Sequence, residues 1–291
     1  MRVIDQSCET VNMATRMMSA IADGLDQLRF EPTEKRVRAT VDGNPIVNTT
    51  RAVLVWEPRR FIPAYAVPLE DVTAQLQPSA RESATDAAGA GYSLPGREGP
   101  PVLTPRDPFH VHSADGESMD LVTATARREA VGFRLSDPDL SGYVVLDFDG
   151  LDEWYEEDEP LVKHPRSPFT RIDLRQSSRN VRIELDATVL AETTSAMLVF
   201  ETGLPVRYYL PRADVRVGLI PSQTRSACAY KGVASYWSAE VGDTLIEDLA
   251  WTYQAPLREV TDLVDLICFF DEKSDLILDG VARERPVTPW S

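Results

Sequence analysis

The chain has 291 residues, 46 acidic against 30 basic, and a net charge of −16. That balance repels phosphate backbones and anionic membranes, so neither nucleic acid nor a membrane is expected as a partner. Cys8, Cys228 and Cys268 are odd in number and lack CxxC spacing, which excludes a disulfide framework or a four-thiolate zinc site within one chain and points to a reducing, cytoplasmic location.

Acids at Asp5, Glu9 and Asp23 interrupt every apolar run near the N-terminus, so no signal peptide or membrane span is expected. Met13 is an alternative start, with residues 1–12 a disordered extension. Met17, Ile21, Leu25 and Leu28 recur at helical spacing and predict a short amphipathic helix over 15–28, closing an N-terminal segment 1–34. From Lys35 to Asp42 apolar Val37, Ala39 and Val41 alternate with polar residues as in a half-buried strand. Asp42-Gly43 supplies a turn, and the run Ala52–Trp56 is read as the returning strand of a hairpin.

The stretch Val37–Glu57 returns without a gap as Val181–Glu201, and Ala64–Val72 returns as Val206–Val215 once one residue is dropped. Two like domains follow, over 35–150 and 179–291. Residues 74–108, rich in Pro, Gly, Ser and Ala, predict a mobile loop in the first. Near their ends Gly132-Phe133 matches Ala250-Trp251, and Phe148-Asp149 matches Phe270-Asp271. Leu257, Val260, Val264, Ile267 and Cys268 share one helical face, predicting a closing helix of about twelve residues. Between the copies, 151–178 reads as a connector packed at the interface, because Trp154, Tyr155, Phe169 and Ile172 need cover.

The segments VLVWEPRRFIPAYAVPLEDV, DEWYEEDEPLVKHPRSPFTRIDLRQSSRNVRIE, RYYLPRADV and above all CAYKGVASYWSAEVGD followed by AWTYQAPL resemble the DUF427 family, also labelled NTP_transf_9, in its tandem form. The resemblance spans nearly all of the chain outside the first twelve residues and the loop at 74–108. It implies a mainly β fold with a few short helices, built as two tandem β-tent-like domains of small antiparallel sheets. Such tents often carry a zinc on four cysteines, which this chain cannot supply, so apolar packing must hold them. The first copy has no counterpart of Cys228-Ala229-Tyr230-Lys231-Gly232, so if that segment is a functional signature only the second domain retains it.

The strongest candidate for chemistry is Arg225–Trp237. Gly232 permits a turn, the strand after it places Tyr236 and Trp237 on opposite faces, and Lys231 is one of only four lysines in the chain. Lys231 at a sheet rim with Tyr230, Tyr236, Trp237 and Tyr209 can hold an anionic or planar small molecule. Alternatively the aromatics are core and the lysine is solvated. In the first copy Trp56, Glu57, Arg59 and Tyr65 are the corresponding candidates, Glu57 and Glu201 each ending the repeated strand. Cys228 between Arg225 and Lys231 is either an activated nucleophile or an inert thiol without a histidine partner.

His110, His112 and Glu117 have the spacing of a cupin metal motif, but no further ligand stands in context, and a solvated pair is the simpler reading. The acids from Asp152 to Glu159 lack calcium-loop spacing and read as a solvated face. No P-loop, G-x-G-x-x-G or G-x-S-x-G occurs, so no cofactor and no metal is expected. The leading expectation is a small-ligand-binding or sensing module with its pocket at the second tent or between domains. The alternatives are a transferase-like enzyme acting on a nucleotide-type substrate and a protein-interaction scaffold; the oligomeric state is left open.

Overall fold

The computed structural model describes residues 14, 16–81, 84–85, 90–93 and 97–289. The alternative start at Met13, residues 1–12 and Cys8 lie outside them, as do parts of the stretch read as a mobile loop.

The expected hairpin forms with a different partner. Val37–Val41 turns through Asp42-Gly43, both at positive φ (50° and 73°), and pairs with Asn44–Thr49, the two-residue turn matching the twist of the strands it joins. Val53–Trp56 instead enters another sheet. Its four residues are all buried, because that sheet is covered on both faces, and a run without alternation is what such a strand requires.

Four principal sheets result, in two pairs with the same strand order. The first large sheet runs Arg29–Pro32, Val53–Trp56, Ala64–Pro68, Tyr143–Leu146, Arg127–Leu135, Gly116–Val122, Gln75–Pro78. The second runs Ile172–Ser177, Ala196–Glu201, Arg207–Leu210, Ile267–Phe269, Thr244–Tyr253, Gly232–Val241, Leu219–Cys228. Each faces a four-stranded sheet: Glu159–Pro160, Glu153–Glu156, Val37–Val41, Asn44–Thr49 in one half, and Val281–Ala282, Asp275–Leu278, Val181–Leu185, Thr188–Thr193 in the other. Even small locks recur, since the Thr49 hydroxyl donates to Asp71 at 2.6 Å and the Thr193 hydroxyl to Asp214 at 2.6 Å.

Each tent closes on an apolar core between its sheets. Val37, Ala39 and Trp154 from the small sheet meet Leu54, Trp56, Tyr65 and Leu146 from the large one; Val181, Ile183 and Leu276 meet Leu198, Tyr208 and Phe269 in the second half. The outer face of each large sheet carries a second cluster, around Phe133 and Leu140 in one half and Tyr209, Trp251 and Leu263 in the other. Burying apolar surface on both faces is the main favourable term in this architecture.

Several expectations change. The N-terminal helix is only Met17–Asp23, followed by a 3-10 turn at Gly24–Asp26. Met17, Met18 and Ile21 stay exposed and only Leu25 is buried, so the periodic stripe does not mark a packed face. The closing helix does not form: Arg258–Leu263 makes 3-10 turns broken at Val260 (φ −132°, ψ 29°), and Ile267–Phe269 is a strand. The turns bury Val260 and Leu263, three residues apart, while Val264 is exposed, as the 3-10 repeat dictates.

Within the segment 151–178, Glu153–Glu156 completes the first small sheet and Ile172–Ser177 forms an edge of the second large one. Arg29–Pro32 likewise pairs with Val53–Trp56, placing part of the N-terminal segment inside the first tent. Gln75–Pro78 is a sheet edge, and Val102, Leu103 and Thr104 are buried. Among the described residues no helix is long and apolar enough to cross a membrane.

Candidate functional site

The sheet registers align the two halves residue by residue. Gly132 pairs with Leu146 and Met119, while Ala250 pairs with Phe269 and Trp237. Leu146 therefore corresponds to Phe269, and the expected match of Phe148-Asp149 with Phe270-Asp271 is displaced by one: Asp147 corresponds to Phe270, each donating its N–H to the same point of the neighbouring strand, Val131 and Leu249. Carried back without a gap from Met119 and Trp237, the register sets His110-Val111-His112-Ser113 on Cys228-Ala229-Tyr230-Lys231. The first half thus has a counterpart of the lysine-aromatic turn, hidden in sequence because no residue is shared.

Both turns close on the repeated glutamate. In the first half Glu57 is buried (3 % exposed), takes His112 Nδ1 at 2.9 Å and the Ser113 N–H at 2.8 Å, and lies 3.6 Å from Arg60 Nε. Burial works against the Glu57 carboxylate, but the hydrogen bond and charge of His112, the charge of Arg60 and the Ser113 N–H outweigh it and hold its pKa below the ordinary value. His112 stacks on Phe133 at 3.5 Å, and its Nε2 is buried without a hydrogen-bond partner among the described residues. The two histidines do not act as a pair, since His110 lies against Arg81. Among the described residues no cluster of three His, Cys, Asp or Glu is placed to hold a metal.

In the second half Lys231 forms an ion pair with Glu201, both side chains little exposed. The lysine is therefore not a free charge at a rim. Burial opposes its ammonium, and Glu201, with Cys228 adding to it, outweighs that and raises its pKa. Tyr230 stands beside it, but its hydroxyl accepts the Ser167 N–H at 2.8 Å and so anchors the segment between the tents.

The remaining predicted residues disperse. Tyr236 and Trp237 do face opposite sides of their strand, Tyr236 packing on the outer cluster and Trp237 on the inner one, where Arg212 lies 4.2 Å from the Trp237 ring. Tyr209 is buried and accepts the Trp251 indole N–H at 3.0 Å. Trp56 and Tyr65 belong to the inner core. The Tyr65 hydroxyl donates to Glu156, and burial, then the Glu156 charge, raises its pKa strongly. Arg59, at φ 64°, reaches the Pro101 carbonyl at 3.1 Å. Of the nine, Tyr230 and Lys231 are neighbours around Glu201, and Glu57 lines a cleft.

That cleft, about 80 Å³, lies between the first tent and the segment 163–165. Val55, Ile62, Phe109 and Phe148 are among its apolar walls, and Glu57, Arg60, Asp107, Asp147, Lys163 and His164 bring its polar groups. Most of these are already committed. Arg60 donates to the carbonyls of Pro108, Phe109 and Val111, Lys163 pairs with Asp149 at 2.7 Å, and Asp107 accepts the N–H groups of Gly91 and Thr104. Asp147, which accepts the Asp149 N–H at 3.1 Å through Oδ1, and His164 are engaged through one atom each. Burial raises the Asp147 pKa and lowers that of His164. His164 Nδ1 donates to the Pro165 carbonyl at 2.8 Å, which makes Nε2 the accepting nitrogen of a neutral ring.

Sequence reasoning missed this cleft because its walls come from four separate stretches, 55–64, 105–109, 145–149 and 163–165. One register position explains why it opens in the first half. Ala64, which lines it, corresponds to Arg207, whose guanidinium fills the equivalent place and is taken by Glu272 at 2.5 and 2.9 Å.

A repeated pair of facing sheets, with a strand-end glutamate closing a turn in each, defines a two-unit β-tent protein. The family model described as a domain of unknown function (DUF427), NTP_transf_9, matches residues 29–92 and 173–280, and the chain belongs to that family. No curated protein matches it.

Proposed function

We propose that the protein is a small-ligand-binding module whose ligand sits in the cleft between the first tent and residues 163–165. The observation that carries this reading is the pair Asp147 and His164, two accepting groups held at a desolvated, apolar-walled site while the charges around them are satisfied by the protein. Acceptors on a net acidic chain suit a small molecule that presents N–H or O–H donors, such as an amine or a polyol, better than an anion. We further read the chain as a tandem duplication of one unit, with tents over about 29–160 and 172–282 joined by 161–171, working in the cytoplasm, where Cys228 and Cys268 stay as thiols.

The test uses the other half as its template. Ala64→Arg installs the side chain that fills the equivalent place in the second tent, and Asp147→Asn removes the charge. A thermal-shift screen against small amines, polyols and sugars should find ligands that raise the melting temperature of the wild type and of neither variant. A ligand response that survives Ala64→Arg would place the site elsewhere.

A further inference from the structure

We infer that the cleft of the first tent takes a cation, a primary aliphatic ammonium with a tail of a few carbons, in preference to an alcohol, a polyol or an anion. The inference rests on that cleft being the binding site and narrows the chemistry it accepts. The charged groups of its walls are unbalanced. Among the described residues, the four carboxylates of Glu57, Asp107, Asp147 and Asp149 line it against the two cations of Arg60 and Lys163. Both cations are already placed. Lys163 Nζ meets both oxygens of Asp149 at 2.7 Å. Arg60 donates to the carbonyls of Pro108, Phe109 and Val111, and its Nε, 3.6 Å from Glu57, is shut off from solvent. Asp107 accepts from neutral donors, the Gly91 and Thr104 N–H groups and the Thr104 hydroxyl. Asp147 accepts the Asp149 N–H through Oδ1, and its Oδ2 has no hydrogen-bond partner among the described residues.

An ammonium complements this set in both charge and hydrogen bonding. It brings three donors and no acceptor, where the groups left over, Asp147 Oδ2 and the Nε2 of the neutral His164 ring, are acceptors. Its charge offsets the surplus carboxylates beside Val55, Ile62 and Phe148, apolar walls that exclude water and so weaken screening. The same walls cover an alkyl tail, and a cleft of about 80 Å³ keeps that tail short. A hydroxyl carries no charge and adds lone pairs that meet donors already committed. A carboxylate adds to the surplus it would have to face.

The experiment titrates the full chain calorimetrically with butylamine, 1-butanol, erythritol and butanoate at about pH 8, where an alkyl amine is still protonated. Butylamine is expected to bind most tightly and butanoate least. Asp147→Asn keeps the shape and removes the charge, and should weaken butylamine by about 10-fold or more. Lys163→Gln frees the Asp149 carboxylate and should tighten butylamine several-fold, a gain that a merely structural role for Lys163 would not give. Melting curves of the unliganded variants certify their folds, and the Lys163→Gln arm stands even where Asp147→Asn fails to fold. Butanol or erythritol binding as tightly as butylamine, with Ala64→Arg abolishing both, would overturn the ammonium and leave the cleft standing. Butylamine binding that survives Ala64→Arg would overturn the cleft and the inference together. Absence of butylamine binding to the wild type, or binding to Lys163→Gln no tighter than to the wild type, would also overturn the inference.

Discussion

The Asp271→Asn substitution should remove a pH dependence of stability that the second tent builds in. Asp271 is buried (4 % exposed) and lies 3.6 Å from Arg207, but that guanidinium is already engaged by Glu272 through two shorter contacts. Burial therefore raises the Asp271 pKa from 3.8 to about 7, Arg207 opposing the rise and the Glu272 charge adding to it. The folded state holds this proton more tightly than the unfolded state, so between about pH 4 and 7 it carries the extra proton, and stability falls as pH rises through that window. Three units at about 1.4 kcal/mol each give about 4 kcal/mol, an upper figure for a group this close to an arginine. The amide of Asp271→Asn mimics the protonated acid and does not titrate. In urea denaturation from pH 4.5 to 8, the variant should gain on the wild type by up to that amount, other groups cancelling in the difference. A difference flat with pH, or one moving in favour of the wild type as pH rises, would refute the reasoning.

Arg60→Met should cost about 3–5 kcal/mol, because it leaves buried Glu57 short of a charge and three carbonyls without a donor; Arg51→Met, which breaks the solvent-screened pairs with Glu70 and Asp71, should leave the same urea titration close to wild type. Gly116→Ala should destabilise by about 1–3 kcal/mol, since its Cβ would fall 2.4 Å from the Arg134 carbonyl oxygen and 2.5 Å from Phe133; a melting curve unchanged from wild type would count against the tight strand end. Lys231→Met alone should destabilise through the stranded Glu201 carboxylate, and adding Glu201→Leu should recover most of the loss. Additive losses in that double-mutant cycle would mean the pair is not coupled.

How much of this was legible in sequence follows from what repeats. Val37–Val41 and Val181–Leu185 were readable because one face is buried and one is not, and alternation survives. The strand Val53–Trp56 was visible but misassigned, since burial on both faces erases the period that would identify its partner. The closing helix failed because Leu257, Val260 and Val264 imitate a helical stripe across what are two short turns and the start of a strand. Glu57 and Glu201 were found through the repeat. Their partners were not, because His112 and Lys231 occupy the turn by register and not by residue type. Ala64 carried no signal at all, since its significance is the absence of the arginine that its counterpart supplies.

One frame recurs in both halves, and four register positions separate them. Ala64, which lines the cleft of the first half, stands opposite Arg207, which pairs with Glu272 in the second. His110, His112 and Ser113 opposite Cys228, Tyr230 and Lys231 decide what closes on the strand-end glutamate: in one case a stacked imidazole, in the other an ammonium. The two places are not independent, because one short segment touches both. His164 lines the cleft of the first tent and meets the Tyr230 ring edge-on at 6.3 Å; two residues later Arg166 donates to the Ala229 carbonyl at 2.7 Å, and the Ser167 N–H donates to Tyr230 at 2.8 Å. His164 thus belongs to the short segment that also fixes the turn carrying Lys231.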